Sequence, residues 1–238
     1  MGKTIRIYKI LPVADGIKNW GKVHEELLAS IEQPDVEITQ VDLPTAPITE
    51  IKSQYHTELV ANLQTLEAVK GAEAGYDGVV MGCLDEPGVA AAKELLTIPI
   101  VGQAEASMHY ASIIGRRFSF VKGGEHTGLG WGDLIVDLVH KYGFGSKLAS
   151  VRHVVARPLQ FAAQKDALPN AMLEQARRAI EDDGADVIIG YGGLDVINYL
   201  QDQLGYPVIS PILASVMMIE SLVRLNLSQS KHAFPNPG

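Results

Sequence analysis

The sequence predicts an α/β fold of two pseudo-symmetric lobes, each a parallel sheet flanked by helices, with an active-site cleft between them. Three observations carry this. Short β-branched runs alternate with longer amphipathic ones along the chain, the pattern of a parallel sheet covered on both faces. One spacing of 108 residues recurs between two similar segments. In each segment a glycine closes a strand just before a loop, where open α/β sheets bind their ligands.

In chain order, the runs "TIRIYKI" (4–10), "VEITQVD" (36–42), "DGVVMG" (77–82), "IPIVG" (98–102) and "RFSFV" (117–121) read as buried strands. So do "ASVRHVV" (149–155), "ADVIIG" (185–190) and "YPVIS" (206–210). Between them lie helical stretches such as 55–72, 88–96, 103–115, 131–143, 169–183 and 211–226. Pro169 suits a first helical turn, with Glu174, Arg177 and Arg178 on the solvent side. Only the "FPNPG" tail reads as structureless.

The duplication appears when "GYDGVVMGCLDEPG" is set beside "GADVIIGYGGLDVI", and "IPIVGQAEAS" beside "YPVISPILAS". Pro99 and Pro207 lie 108 residues apart, as do Gly82 and Gly190. Each copy reads strand, loop, helix, proline-containing strand, long helix. At the same offset Cys83 has Tyr191 as its counterpart.

Composition narrows the function. The 238 residues can bury one large domain or two lobes, and 47% hydrophobic with 20% charged content is ordinary for a soluble globular protein. A net charge of -8 without a basic stripe argues against nucleic-acid and membrane partners and leaves a small-molecule substrate. The opening "MGKTIRIYKILP" is too short in apolar residues for a signal peptide. A single cysteine forms no internal disulfide, which predicts a reducing, cytoplasmic setting.

Cys83 is the first candidate for chemistry. It follows a glycine and precedes "LDEPG", read as the start of a helix whose N–H groups and dipole would favour a thiolate over the usual pKa of about 8.5. Asp85 and Glu86 oppose that effect unless they cap the helix and point away. The bland alternative is a small buried hydrophobe. The stretch 122–132 has five glycines with Lys122, Glu125 and His126, but neither the Walker spacing nor a dinucleotide fingerprint. It reads either as a lid or a clamp for a substrate anion, with Lys122 or His126 reaching the cleft, or as a flexible exposed turn with both side chains solvated. The other histidines (24, 56, 109, 140, 153, 232) lack metal-ligand spacing, so no metal is expected.

The segments "GCLDEPGVAAAKELL", "IPIVGQAEASMHYASIIGRRFSFV", "EDDGADVIIGYGGLD" and "LVRLNLSQSKHAFPNP" resemble the aspartate/glutamate/hydantoin racemase superfamily, nearest its hydantoin and allantoin racemase branch. The resemblance spans almost the whole chain. It implies two intertwined lobes, the first over about 1–115 plus the C-terminal helix and the second over 116–215. It also implies no cofactor, assembly as a homo-oligomer, and a cysteine from each lobe working on opposite faces of a carbon next to a carbonyl. Cys83 matches the first cysteine, and Tyr191 stands where the second belongs. The candidate substrate-binding residues are Pro12, Leu84, Asp85, Lys122, Gly123, His126, Gly192 and Gly193. Two of these segments depart from the pattern. "ILPVAD" replaces an Asn-containing loop, and "KGGEHTGLGWGD" replaces a hydroxyl pair. Ser228, Ser230 and Lys231 match the family's tail, read as closing the second lobe.

Three functions follow. The first is a racemase or epimerase of a cyclic amide or amino-acid derivative, with Tyr191 as the second acid/base. The second is a one-thiol hydrolase, isomerase, decarboxylase or lyase, with Tyr191 assisting Cys83. The third is a non-catalytic binding protein, which the intact Gly-Cys-x-x-x-Pro-Gly loop disfavours.

Overall fold

A computed structural model describes residues 3–124, 127–130, 133–156 and 167–238. The chain divides into two compact units, Met1–Gln103 with Ser215–Gly238, and Ala104–Ala214.

The first unit holds strands β1 (Ile5–Leu11), β2 (Val36–Asp42), β3 (Gly78–Met81) and β4 (Ile100–Gly102) in the order β2-β1-β3-β4. All pairings are parallel. Helices α1 (Gly16–Ala29), α2 (Gln54–Glu73) and α3 (Val89–Leu95) connect them. Tyr8, Ile10, Val79, Met81 and Ile100 form one core with Val60 and Ala68 of α2 and Ala92 of α3. The opposite sheet face meets helix α8 (Pro211–Arg224), which lies so close that a Cβ on Gly78 would stand 2.6 Å from Ile219 Cγ2.

The second unit begins with α4 (Gln103–Ile114) and contains β5 (Phe118–Gly124), β6 (Gly128–Leu129), α5 (Leu134–Lys141), β7 (Leu148–Val155), α6 (Ala167–Glu181), β8 (Val187–Gly190), α7 (Leu194–Leu204) and β9 (Val208–Ile209). Its sheet order is β6-β7-β5-β8-β9. The short β6 runs antiparallel to β7, and the other pairings are parallel. Without β6, the order β7-β5-β8-β9 repeats β2-β1-β3-β4 strand for strand. The α/β fold with helix-covered parallel sheets is therefore as the sequence predicts, and the 108-residue spacing corresponds to a repeated topology.

Several details depart from expectation. The division falls at 103/104, not at 115, so most of α4 belongs to the second unit. Its His109 ring meets Phe144 edge-on at 5.1 Å, and its Ser112 carbonyl accepts from Lys147 Nζ at 3.5 Å. Helix α1 matches none of the expected helical stretches. It contains Gly16 and Gly21, which weaken a helical pattern, and its N-cap Asp15 sits at φ 55 and makes no side-chain cap hydrogen bond. The helix expected from 131 begins at Leu134 behind the Asp133 cap.

The C-terminal tail closes the first unit rather than the second lobe. Ser228 Oγ donates to Thr97 O at 2.5 Å, and Gln229 Nε2 donates to Leu96 O and Ile98 O at 2.6 and 2.9 Å. Lys231 Nζ donates to Lys93 O and Glu94 O at 2.8 and 2.7 Å. These carbonyls lie at and beyond the end of α3, where helical backbone acceptors have no partner within the helix. No described helix is long and apolar enough to cross a membrane.

Candidate functional site

The two candidate side chains occupy equivalent places in the two sheets. Cys83 follows Gly82 at the end of β3, and Tyr191 follows Gly190, the last residue of β8. Both are half-buried. Neither is a core side chain.

Cys83 is held at φ 74, a left-handed conformation that costs a side-chain-bearing residue about 1 kcal/mol or more. Its carbonyl accepts from the Glu86 N–H at 3.3 Å, closing a tight turn. This corrects the helix-start reading. Helix α3 begins only at Val89, behind Gly88 at φ 77 with no side-chain cap, and runs seven residues. Gly88 and Glu86, both at positive φ, keep the segment out of a helix until then. The thiol is therefore placed by a strained turn at a strand end, and not by a helix N-terminus.

The acids after Cys83 separate. Asp85 is half-buried, whereas Glu86 is buried with its carboxyl lying over Gly102. A Cβ on residue 102 would overlap the Glu86 carboxyl carbon, so glycine makes the room. Leu84 is buried at 6% exposure. Pro12 is buried too, with its Cδ beside Gly82. The fold thus brings Pro12 next to the Cys83 turn.

In the second unit Lys122 and Gly123 lie on β5, one and two residues beyond Val121, the register partner of Gly190. Gly192 and Gly193 continue from Tyr191 into the N-terminus of α7. His126 lies outside the described residues. Within the 122–132 stretch, Lys122–Gly124 continue β5 and Gly128–Leu129 pair with β7.

Sequence reasoning missed two members of this edge, Asp133 and His153. Lys122 Nζ stands 3.2 and 3.1 Å from Asp133 Oδ1 and Oδ2. His153 Nε2 is 2.7 Å from Oδ2 and must be the donor, since a carboxylate only accepts. The Ile135 N–H donates to Oδ1 at 2.9 Å, capping α5. Burial alone would raise the Asp133 carboxyl. The His153 hydrogen bond, the Lys122 charge and the Ile135 N–H outweigh it and hold the carboxyl well below the usual range. Gly124 and Gly130 flank the His153 ring so closely that a Cβ on either would overlap it. The one sequence signal was an aspartate just before the apolar run "LIVDLV".

Among the described residues no group of three or more His, Cys, Asp or Glu is arranged to hold a metal ion. The site class is thus an α/β protein of two repeated units, each with a glycine at or just beyond the end of an interior strand followed by an ionisable side chain. A family model described as Asp/Glu/Hydantoin racemase matches residues 21–219. A hydantoin racemase of a Pseudomonas species is 31% identical over 231 residues, covering 96% of this chain and 88% of its own. Among solved structures, an allantoin racemase from Klebsiella pneumoniae matches with TM-score 0.83 and 30% identity, over 99% of this chain and 95% of its own. An allantoin racemase from Pseudomonas fluorescens matches with TM-score 0.86 and 27% identity, over 98% of both chains. The chain belongs to the Asp/Glu/hydantoin racemase family, and so to the racemase and isomerase enzymes.

Proposed function

We propose that this enzyme racemises or isomerises a small cyclic amide of the hydantoin type through Cys83. The carrying observation is Cys83 itself, held at φ 74 in a turn after a strand-ending glycine. Strain of this kind persists where the surrounding structure over-determines it, often at functional positions. The likeness to hydantoin and allantoin racemases supports the substrate class.

In the step proposed, the Cys83 thiolate takes the proton from the carbon next to a ring carbonyl. The C–H bond breaks, an S–H bond forms, and the electron pair passes to the carbonyl oxygen as an enolate. Return of a proton to the other face inverts the centre. Tyr191 is the group in the second unit for that return. A phenol of ordinary pKa about 10 is a weaker acid than a thiol near 8.5, so the two steps are unequal.

That inequality favours a second reading. Cys83 acts as the sole proton donor or nucleophile in a hydrolysis, decarboxylation or elimination, and the Tyr191 hydroxyl orients the substrate or meets its developing charge. One experiment separates them. Single enantiomers of 5-substituted hydantoins and of allantoin are incubated with the enzyme in D2O and followed by polarimetry and NMR. Racemisation removes the optical rotation and the C5–H signal with no new compound. A new product supports the one-thiol reading. Unchanged rotation and signal across the panel reject the hydantoin-type substrate.

A further inference from the structure

Register between the strands shows what the second unit has that the first lacks. Ile10 pairs with Met81, which places Leu11 beside Gly82, just as Val121 pairs with Gly190. Leu11 pairs with Asp42, and Val121 with Arg152. One residue further on, Pro12 and Leu43 of the first unit correspond to Lys122 and His153 of the second. The first unit closes this corner with two buried apolar residues. The second closes it with an ammonium, an imidazole and the Asp133 carboxylate, whose side chains are 18%, 8% and 9% exposed. Sheet closure does not require these groups, as the first unit demonstrates, and withdrawing them from water is costly.

We propose that Lys122, positioned by Asp133 and His153, binds the substrate oxygen on which negative charge develops. This rests on the proposed function, whose step moves an electron pair onto a carbonyl oxygen. Lys122 lies on β5 one residue beyond the partner of Gly190, at the level of Tyr191. An ammonium carries three N–H donors, so one group can serve both Asp133 and a substrate oxygen. In a corner shielded from water its charge acts more strongly on a developing oxyanion than it would in solution. Asp133 fixes the ammonium from both of its oxygens, and His153 takes part of the carboxylate's accepting capacity through Oδ2. Without the imidazole, Asp133 would draw Lys122 more strongly to itself. His153 and Asp133 are positioning residues, and Lys122 is the group that meets the charge.

The test uses barbiturate, a planar cyclic ureide that is an anion at neutral pH, with neutral hydantoin as comparison. Calorimetric titration of the wild type should give tighter binding of barbiturate than of hydantoin. Lys122→Gln, which keeps a donor for Asp133 but no charge, should lose barbiturate affinity by about tenfold or more, as expected for a hydrogen bond to a charged group. Its hydantoin affinity should change by less than about threefold. His153→Phe should weaken barbiturate alone, and His153→Gln, with an amide N–H near the Nε2 position, should restore it. Lys122→Arg, which keeps the charge and moves the donors, should also change the barbiturate-to-hydantoin preference and serves if Lys122→Gln does not fold. The inference is overturned if the wild type has no preference for barbiturate, or if a folded Lys122 variant keeps the wild-type preference. These readouts need no turnover. Lys122-dependent binding without deuterium exchange would sink the proposed reaction and leave this site standing.

Discussion

Lys9 Nζ lies 2.8 Å from His24 Nδ1 in the sealed interior of the first unit, and 3.0 Å from Gln40 Oε1. Lys9 is fully buried on β1, the central strand beside β2 and β3. Burial lowers its pKa to about 7. His24 is held well below its ordinary value, first by burial and then by the charge of Lys9, against a raising hydrogen bond with Gln40. Both groups bind protons more readily in the unfolded chain, so stability rises with pH wherever they titrate. The Lys9 contribution is lost as pH falls from about 10.5 to about 7. Urea midpoints between about pH 7 and about pH 9.5 should show a rise of up to about 1.4 kcal/mol per pH unit. Lys9→Met should flatten it, and an unchanged slope in that variant would reject the assignment to Lys9.

Cys83 allows stability and activity to be separated at one position. Cys83→Ser should fold as the wild type and lose about 100-fold or more in turnover, the scale of a lost acid/base group. Cys83→Gly relieves the φ of 74. It should unfold at no lower urea concentration than the wild type while being equally inactive. Activity within a few-fold of wild type in either variant removes the thiol mechanism.

Tyr191 divides the two chemical readings. If it is the second acid/base, Tyr191→Phe abolishes deuterium exchange into a chiral hydantoin and Tyr191→Cys keeps part of it. If Cys83 works alone, Tyr191→Phe loses only part of the native rate, and Tyr191→Cys gains racemisation that the wild type does not perform. Chiral chromatography of 5-substituted hydantoins after incubation with each variant reads both outcomes.

Gly102 tests the placing of the Glu86 carboxyl. A methyl at residue 102 would occupy the space of the carboxyl carbon. Gly102→Ala should therefore destabilise by about 1–3 kcal/mol, the range for overpacking a filled interior. Wild-type stability in that variant would mean that Glu86 can leave its position at little cost.

The strands and their repeat were legible in the sequence for a local reason. Parallel strands covered on both faces read as continuous apolar runs, so "DGVVMG" locates Gly78–Met81, which is buried throughout. The 108-residue spacing of Gly82 with Gly190 likewise identified Cys83 and Tyr191 as equivalents. Helix α1 gave no such signal, because its fourteen residues carry two glycines and no side-chain cap. "RHVV" read as an ordinary strand, and nothing local marked His153 as part of a polar group.

What the sequence by itself determined is the class of fold, the duplication and the two loops that follow the strand-ending glycines. These follow from periodicity and spacing, which are properties of neighbouring residues. Tertiary structure alone decided that α4 packs with the second unit and that the tail closes the first, since an apolar helix face does not specify which sheet it covers. It also decided the φ of Cys83, set by a turn that holds back α3 until Val89. The Lys122–Asp133–His153 group belongs to the same kind. Its members lie 11 and 20 residues apart, and only the β5–β7 register and the start of α5 bring an ammonium and an imidazole onto one carboxylate.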